Sequence, residues 1–167
     1  MKGLPDHATC RRAIDSPMGR LVLFATPAGL AALFFGHRVD SAEFPPDDPD
    51  NLHLNAAERQ LGEYFAKERQ HFDIAFDRSG TAFQEAVWQQ LSQIPFGETC
   101  SYGDIAERMG NPKSVRAVGL ANGSNPISII VPCHRVIGAD GSLIGFGGGL
   151  EIKQRLLMHE GALLALA

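Results

Sequence analysis

The stretch "SYGDIAERMGNPKSVRAVGLANGSNP", residues 101–126, constrains this chain more than any other. Ser101 stands where a helix is capped, Gly110, Asn111 and Pro112 interrupt the pattern, and a second helix is predicted from about Lys113 to Asn122. Two short helices about a tight glycine-bearing turn make a helix-turn-helix. The second helix sets Ala117, Gly119 and Ala121 around Arg116. A glycine inside a helix costs ~1 kcal/mol relative to alanine, so Gly119 implies a close approach, either to another molecule or to a packing partner within the protein.

The neighbouring segments fit around that element. Thr81 opens a helix with Phe83, Val87, Trp88, Leu91 and Ile94 as its apolar stripe, stopped by Pro95 and Gly97. In "VIGADGSLIGF" Asp140 and Gly141 lie between apolar pairs, which predicts a hairpin that would form a wing. The chain closes with a helix in "LEIKQRLLMHEG", ended by Gly161. In the first half, "GRLVLFAT" and "LAALFF" around "PAG" predict a β-hairpin, followed by an acidic, proline-rich loop over 40–51. A helix with Leu54, Ala57, Leu61, Tyr64 and Phe65 on one face follows, and "HFDIAFD" alternates as a strand does. A boundary near "DRSGT" divides residues 1–79 from 80–167. The fold class is α/β (α+β), a small α/β domain followed by a mostly helical one.

Composition narrows the class. The 167 residues contain no apolar run near the ~20 that a membrane span needs, and the N-terminus lacks a signal-peptide core, so a cytoplasmic home is expected. Three irregularly spaced cysteines suit reduced thiols. The net charge of −4 argues against a nonspecific nucleic-acid coat. Locally the balance reverses: from Arg108 to Ala139 the chain carries Arg108, Lys113, Arg116 and Arg135 with no Asp or Glu, an island that suits either phosphate contact or a solvated face.

Chemistry concentrates at "ISIIVPCHRV", residues 127–136. The β-branched run predicts a buried strand that Pro132 must end. In an extended chain Cys133 and His134 would point to opposite faces. Pro132 is well placed to start a helical turn, which would set Cys133 at its positive end and lower the thiol pKa. His134 could then take the proton, directly or through a water, with Glu160 on the closing helix as the acceptor that orients it. The competing readings are an inert buried cysteine, a zinc site and a hydrolytic Cys–His pair. Neither CxxC nor HxxxH spacing supports the zinc site, and no "CGSCW"-like stretch supports the hydrolase.

From "VPCHRV" outward the sequence resembles the O6-alkylguanine-DNA alkyltransferases, the methylated-DNA–protein-cysteine methyltransferases. The resemblance runs through most of residues 81–167, in "SYGDIA", "GNPKSVRAVG", "VPCHRVIG", "GGL", Lys153 and "HEG", while the first half matches in length and strand–helix order alone. It implies a ribonuclease-H-like N-terminal domain ahead of a winged helix-turn-helix domain. It implies a DNA repair protein that flips O6-methylguanine out of the duplex and moves the alkyl group irreversibly and stoichiometrically to Cys133, with O4-methylthymine left open as a second substrate.

In that resemblance His134 and Glu160 relay the thiol proton through a water, Tyr102 contacts the flipped base and aids guanine departure, and Asn125 braces the cysteine loop. Val136 offers its carbonyl to the base, beside a pocket lined by Tyr102, Phe146 and Gly147; Phe146 stands where the family often has a tyrosine. Arg116 inserts into the base stack from a helix lying in the minor groove, with Val115, Ala117 and Gly119 against the DNA and Arg135 as a further DNA contact. The implied partner is double-stranded DNA containing O6-alkylguanine, met without a membrane by a monomer able to assemble cooperatively on DNA. No cofactor is implied, and the zinc ligands of some members have no matching cluster here, so no metal is expected.

Overall fold

The structure, a computed structural model, describes residues 5–38 and 44–163. The chain divides into two compact units between Ser79 and Gly80. In the first, strands β1 (Cys10–Ile14), β2 (Leu21–Ala25) and β3 (Leu30–Phe35) form an antiparallel sheet in that order. The expected hairpin is β2 and β3, with Leu23 opposite Leu33. All five residues of β2 are buried, the pattern of a strand covered on both faces.

Strand β1 escaped the sequence reading because two arginines interrupt "CRRAI". Its outer edge is held by the loop, Arg11 N donating to Pro46 O at 3.1 Å and Arg12 Nε to Asp47 Oδ1 at 3.1 Å. Residues 40–43 of that loop lie outside the described residues. Helix α1 (Leu52–Phe65) follows, capped by Asn51, whose Oδ1 accepts from the backbone of His53 and Leu54. It buries Leu54, Ala57, Leu61 and Tyr64, as the spacing predicts.

The strand expected at "HFDIAFD" is reduced to a single bridge between Phe76 and Leu30. Gln60 explains the difference: its side chain donates to Asp73 O at 2.9 Å and accepts from Asp73 N at 2.8 Å, occupying backbone groups that a ladder would use. Gly29 permits the bridge, since a Cβ there would lie 2.6 Å from the carbonyl carbon of Phe76.

The second unit begins with α2 (Ala82–Leu91), closed at its start by a Thr81–Gln84 capping box. Trp88 is buried, and its Nε1 donates to Ala121 O at 2.9 Å, which fixes α2 against the helix-turn-helix. That element is α3 (Tyr102–Arg108), with a Ser101–Asp104 capping box, and α4 (Val115–Gly123). Gly110 turns the chain at φ 77. Helix α4 starts two residues later than predicted because Asn111 O accepts from both Ser114 N and Ser114 Oγ, which holds Pro112 and Lys113 in the turn.

Two-residue strands β4 (Cys100–Ser101) and β5 (Val136–Ile137) pair in parallel. Helix α5 (Leu150–His159) closes the unit, with Glu160 as its C-cap and Gly161 turning at φ 75. The expected wing is a turn followed by irregular chain, without the second strand of a hairpin. Asp140 Oδ1 accepts from Ser142 N and Oγ, and Gly138 N donates to Ser142 O, so the turn forms. Beyond it the backbone is claimed by side chains of α3 and α5, described below.

Candidate active site

The segment 127–131 is buried as the sequence predicts, yet it is not a strand. Asn125 Oδ1 accepts from Ile127 N at 3.1 Å and its Nδ2 donates to Val131 O at 2.8 Å, while Val131 N returns to Ile127 O at 3.0 Å. One buried amide thus does the work of a neighbouring strand, and the chain folds over it. The fold places Ile129 at φ 71, a region that costs a β-branched residue of order 1–3 kcal/mol.

Pro132 leads into a single 3-10 turn, Cys133–Arg135, with all three side chains buried. The helical turn is present, but its expected effect on the thiol is not. Burial pushes the Cys133 thiol above its ordinary value, while hydrogen bonding from Asn125, the charge of Lys153 and hydrogen bonding from Ser128 oppose it without overcoming it. One turn of three residues is too short a dipole to outweigh a 5% exposed sulfur, so the resting group is a thiol.

His134 is fully buried, with Nε2 2.8 Å from Glu160 Oε1 and 3.1 Å from Oε2. Burial lowers its pKa ahead of the opposing pull of Glu160, so the ring is neutral. The carboxylate can only accept, hence the proton sits on Nε2 and the lone pair on Nδ1. Nδ1 is buried and has no hydrogen-bond partner among the described residues. It is the free base of the site.

Arg135 corrects the sequence reading. It is 6% exposed and unavailable to phosphates. Its Nε and Nη2 each donate to Glu160 at 2.8 Å, its Nη1 donates to Ile94 O at 2.6 Å, and its guanidinium lies 5.8 Å from the Phe96 ring centre. Burial alone pushes the Glu160 carboxyl up; hydrogen bonds and charge from Arg135 and His134 outweigh it and bring the pKa down to about 2. Glu160 is therefore an anion shared by the two residues that follow the cysteine.

Tyr102, the first residue of α3, is half-buried and donates from its hydroxyl to Ile144 O at 2.9 Å. Burial raises its pKa, and the nearby Cys133 adds to the shift. Phe146 presents its ring edge-on to His134, centres 6.5 Å apart, with Gly147 beside it and half-buried. Val136 is buried, and its carbonyl accepts from Lys153 Nζ at 2.6 Å, which leaves it one further lone pair.

Sequence reading assigned no role to two residues of this cluster. Lys153 shares the buried face of α5 with Leu156 and Leu157, and a charge on an apolar stripe was the available signal. Ser128, a hydroxyl inside an apolar run, was the other.

On α4, Arg116 and Ala117 are exposed, Val115 is 41% and Leu120 69% exposed, and Val118 and Ala121 face inward. Arg116 makes no hydrogen bond or ion pair among the described residues. Gly119 backs onto the site: a Cβ there would stand 3.8 Å from Tyr102 Cδ1. Among the described residues no group of three or more His, Cys, Asp or Glu is placed to hold a metal ion, and no helix is long and apolar enough to cross a membrane.

A buried thiol beside a histidine–carboxylate pair, carried on a helix-turn-helix unit, defines the class: a cysteine-centred protein that modifies nucleic acid. The model of the 6-O-methylguanine DNA methyltransferase DNA binding domain matches residues 82–162, and that of the ribonuclease-like domain of the same family matches residues 10–78. A methylated-DNA–protein-cysteine methyltransferase of Methanosarcina acetivorans is 48% identical over 149 residues, spanning 89% of this chain and 96% of its own. One from Mycobacterium tuberculosis is 49% identical over 153 residues, spanning 89% and 90%. The crystal structure of Mycobacterium tuberculosis OGT in complex with DNA aligns with a TM-score of 0.83 at 48% identity, over 91% of this chain and 92% of that one. The chain belongs to the 6-O-methylguanine DNA methyltransferase family.

Proposed function

We propose that this protein repairs DNA by taking the alkyl group of O6-alkylguanine onto its own Cys133, once per molecule. The observation that carries the reading is the His134 ring, held by Glu160 at Nε2 and presenting a buried, unpartnered Nδ1 next to the cysteine turn. A thiol raised by burial needs such a base at the moment of reaction.

The proton of Cys133 passes to His134 Nδ1, directly or through a water, and the imidazolium is stabilised by the Glu160 carboxylate. The thiolate attacks the alkyl carbon in line as the bond from that carbon to O6 breaks. The electron pair stays on the guanine, which takes up a proton with the Tyr102 hydroxyl as its neighbour. The product thioether has no good leaving group, so the protein is consumed, and no cofactor enters the balance.

The alkyl carbon is out of reach inside a duplex, and extruding the base costs a few kcal/mol. The exposed face of α4 fits that task. Val115, Ala117 and Gly119 give it a low profile suited to the minor groove, and Arg116 is free to fill the gap in the stack. Phe146, Gly147 and the Val136 carbonyl receive the base, and the protein meets DNA as a monomer.

The test is intact mass and peptide mapping after incubation with a duplex oligonucleotide containing O6-methylguanine and no added cofactor. The expected result is one methylene's mass gained on the Cys133 peptide, saturating at one per protein. Tight binding to the lesion with no gain in mass would make the protein a damage sensor instead.

A further inference from the structure

Lys153 is the one lysine of the described residues with no exposed surface, and it forms no ion pair among them. Fully buried lysines are almost always paired with an anion, so this one calls for a reason. Its three donors meet three carbonyls: Val136 O at 2.6 Å, Ile144 O at 2.9 Å and Gly145 O at 3.3 Å. The first belongs to the strand that follows Cys133, the other two to the loop in front of the pocket. The ammonium is a cross-link between them.

The Ile144 carbonyl is shared. It accepts from Lys153 Nζ at 2.9 Å and from the Tyr102 hydroxyl at 2.9 Å, filling both its lone pairs. Tyr102 therefore spends its only proton on the loop. To serve a departing guanine that proton must swing away, which would strip a carbonyl that had no second donor.

We propose that Lys153 is a positioning residue for the alkyl transfer, holding the Ile144 carbonyl and its loop in place when the Tyr102 hydroxyl turns from that carbonyl to the bound base. This rests on the alkyl-transfer reading above. Burial lowers the Lys153 pKa to about 8, a shift that the Cys133 thiolate opposes once it forms, so the cation is present at neutral pH. A protonated amine has three donors, one for each of these carbonyls. Leucine or methionine at this position would fill the same stripe of α5 and leave the Ile144 carbonyl to the Tyr102 hydroxyl.

The test is a double-mutant cycle on the full-length protein. One readout is single-turnover transfer from duplex DNA bearing O6-methylguanine, and the other is amide hydrogen exchange of the 142–147 segment in free protein. Lys153→Met keeps the stem and removes the charge. It should slow transfer roughly 10–100-fold, the scale of a mispositioned reacting group, and speed exchange in 142–147. In a Tyr102→Phe background the same change leaves the Ile144 carbonyl with neither donor, so exchange in 142–147 should rise above that of either single variant. Exchange in the double variant no faster than in Tyr102→Phe alone would overturn the proposal.

Should Lys153→Met not fold, Tyr102→Phe alone decides. With Lys153 still gripping the loop, exchange over 142–147 should stay within about twofold of wild type. A large rise would make the tyrosine the anchor and remove the clamp. A wild type that gains no methyl on Cys133 would remove the alkyl-transfer reading and the proposal with it. A wild type that transfers, with Lys153→Met matching it in both readouts, would remove the clamp alone.

Discussion

Glu160 ends helix α5 with Oε1 2.8 Å from Nε2 of His134, and neither side chain is exposed. The same carboxylate takes two hydrogen bonds from Arg135, so the turn that presents the cysteine is tied to the last turn of the unit by three donors. A histidine alone would be oriented by any acceptor. The arginine does something further: it keeps the acceptor ionised, which fixes the tautomer and leaves Nδ1 as the base.

Glu160→Gln should slow alkyl transfer while leaving DNA binding nearly intact, because an amide cannot stabilise the imidazolium. It should also change the acid profile of stability. The folded pKa of about 2 lies below the ordinary 4.5, so the ionised group contributes stability that is complete above 4.5 and lost as pH falls toward 2. The gap corresponds to roughly 3 kcal/mol. Urea unfolding at pH 7, 4 and 3 should show wild type ahead of the variant at pH 7 and the gap narrowed by about half or more at pH 3. A constant difference would remove the buried anion from the account.

What the sequence disclosed and what it concealed divide along physical lines. The helix-turn-helix, the helix start at Thr81, the Ser101 cap and the stop at Gly161 were legible because they depend on local backbone chemistry. The juxtaposition of His134 with Glu160 was legible as a chemical need, an acceptor for a ring nitrogen. Long-range side-chain capture was not. Gln60 dissolves a predicted strand, Asn125 folds another into a loop, and Lys153 with Tyr102 replaces the second strand of the wing. In each case a polar side chain distant in sequence or curled back on its own loop took the backbone groups that periodicity assigned to a ladder. The cysteine failed differently: a turn dipole is visible in sequence, and the desolvation that exceeds it is not.

Arg135→Ala separates a buried partner from a DNA contact. Removing it takes the guanidinium away from the buried Glu160 carboxylate, which should cost roughly 3–5 kcal/mol of stability. The salt dependence of DNA binding should keep its slope, since no phosphate contact is lost. Thermal unfolding and binding titrations at several salt concentrations check both parts. A shallower slope with unchanged melting would return Arg135 to the DNA surface.

Ser128→Ala tests how the thiolate is supported. With burial raising the thiol, each hydrogen bond to the sulfur matters, and Ser128 is 8% exposed beside it. One hydrogen bond to a charged group is worth about 1.5–3 kcal/mol, so its loss should raise the Cys133 pKa and slow iodoacetamide labelling by roughly tenfold or more at pH 7. The pH profile of labelling should move upward while the melting temperature changes little. An unmoved profile would leave Asn125 and Lys153 as the supports of the sulfur.

Arg116→Ala addresses the face of α4 that carries no internal burden. Arg116 is exposed, its helix is fixed from behind by Val118 and Ala121, and the bond from Trp88 to Ala121 O holds the helix end regardless of position 116. The substitution should therefore leave the fold and the thiol untouched. Repair in a duplex needs the extruded state stabilised, at a cost of a few kcal/mol, whereas a free O6-methylguanine base needs no extrusion. Transfer from duplex DNA should fall by roughly 10–100-fold, and transfer from the free base should stay near wild type. Equal losses on the two substrates would place Arg116 in the pocket chemistry and take away its role in holding the gap that the base leaves.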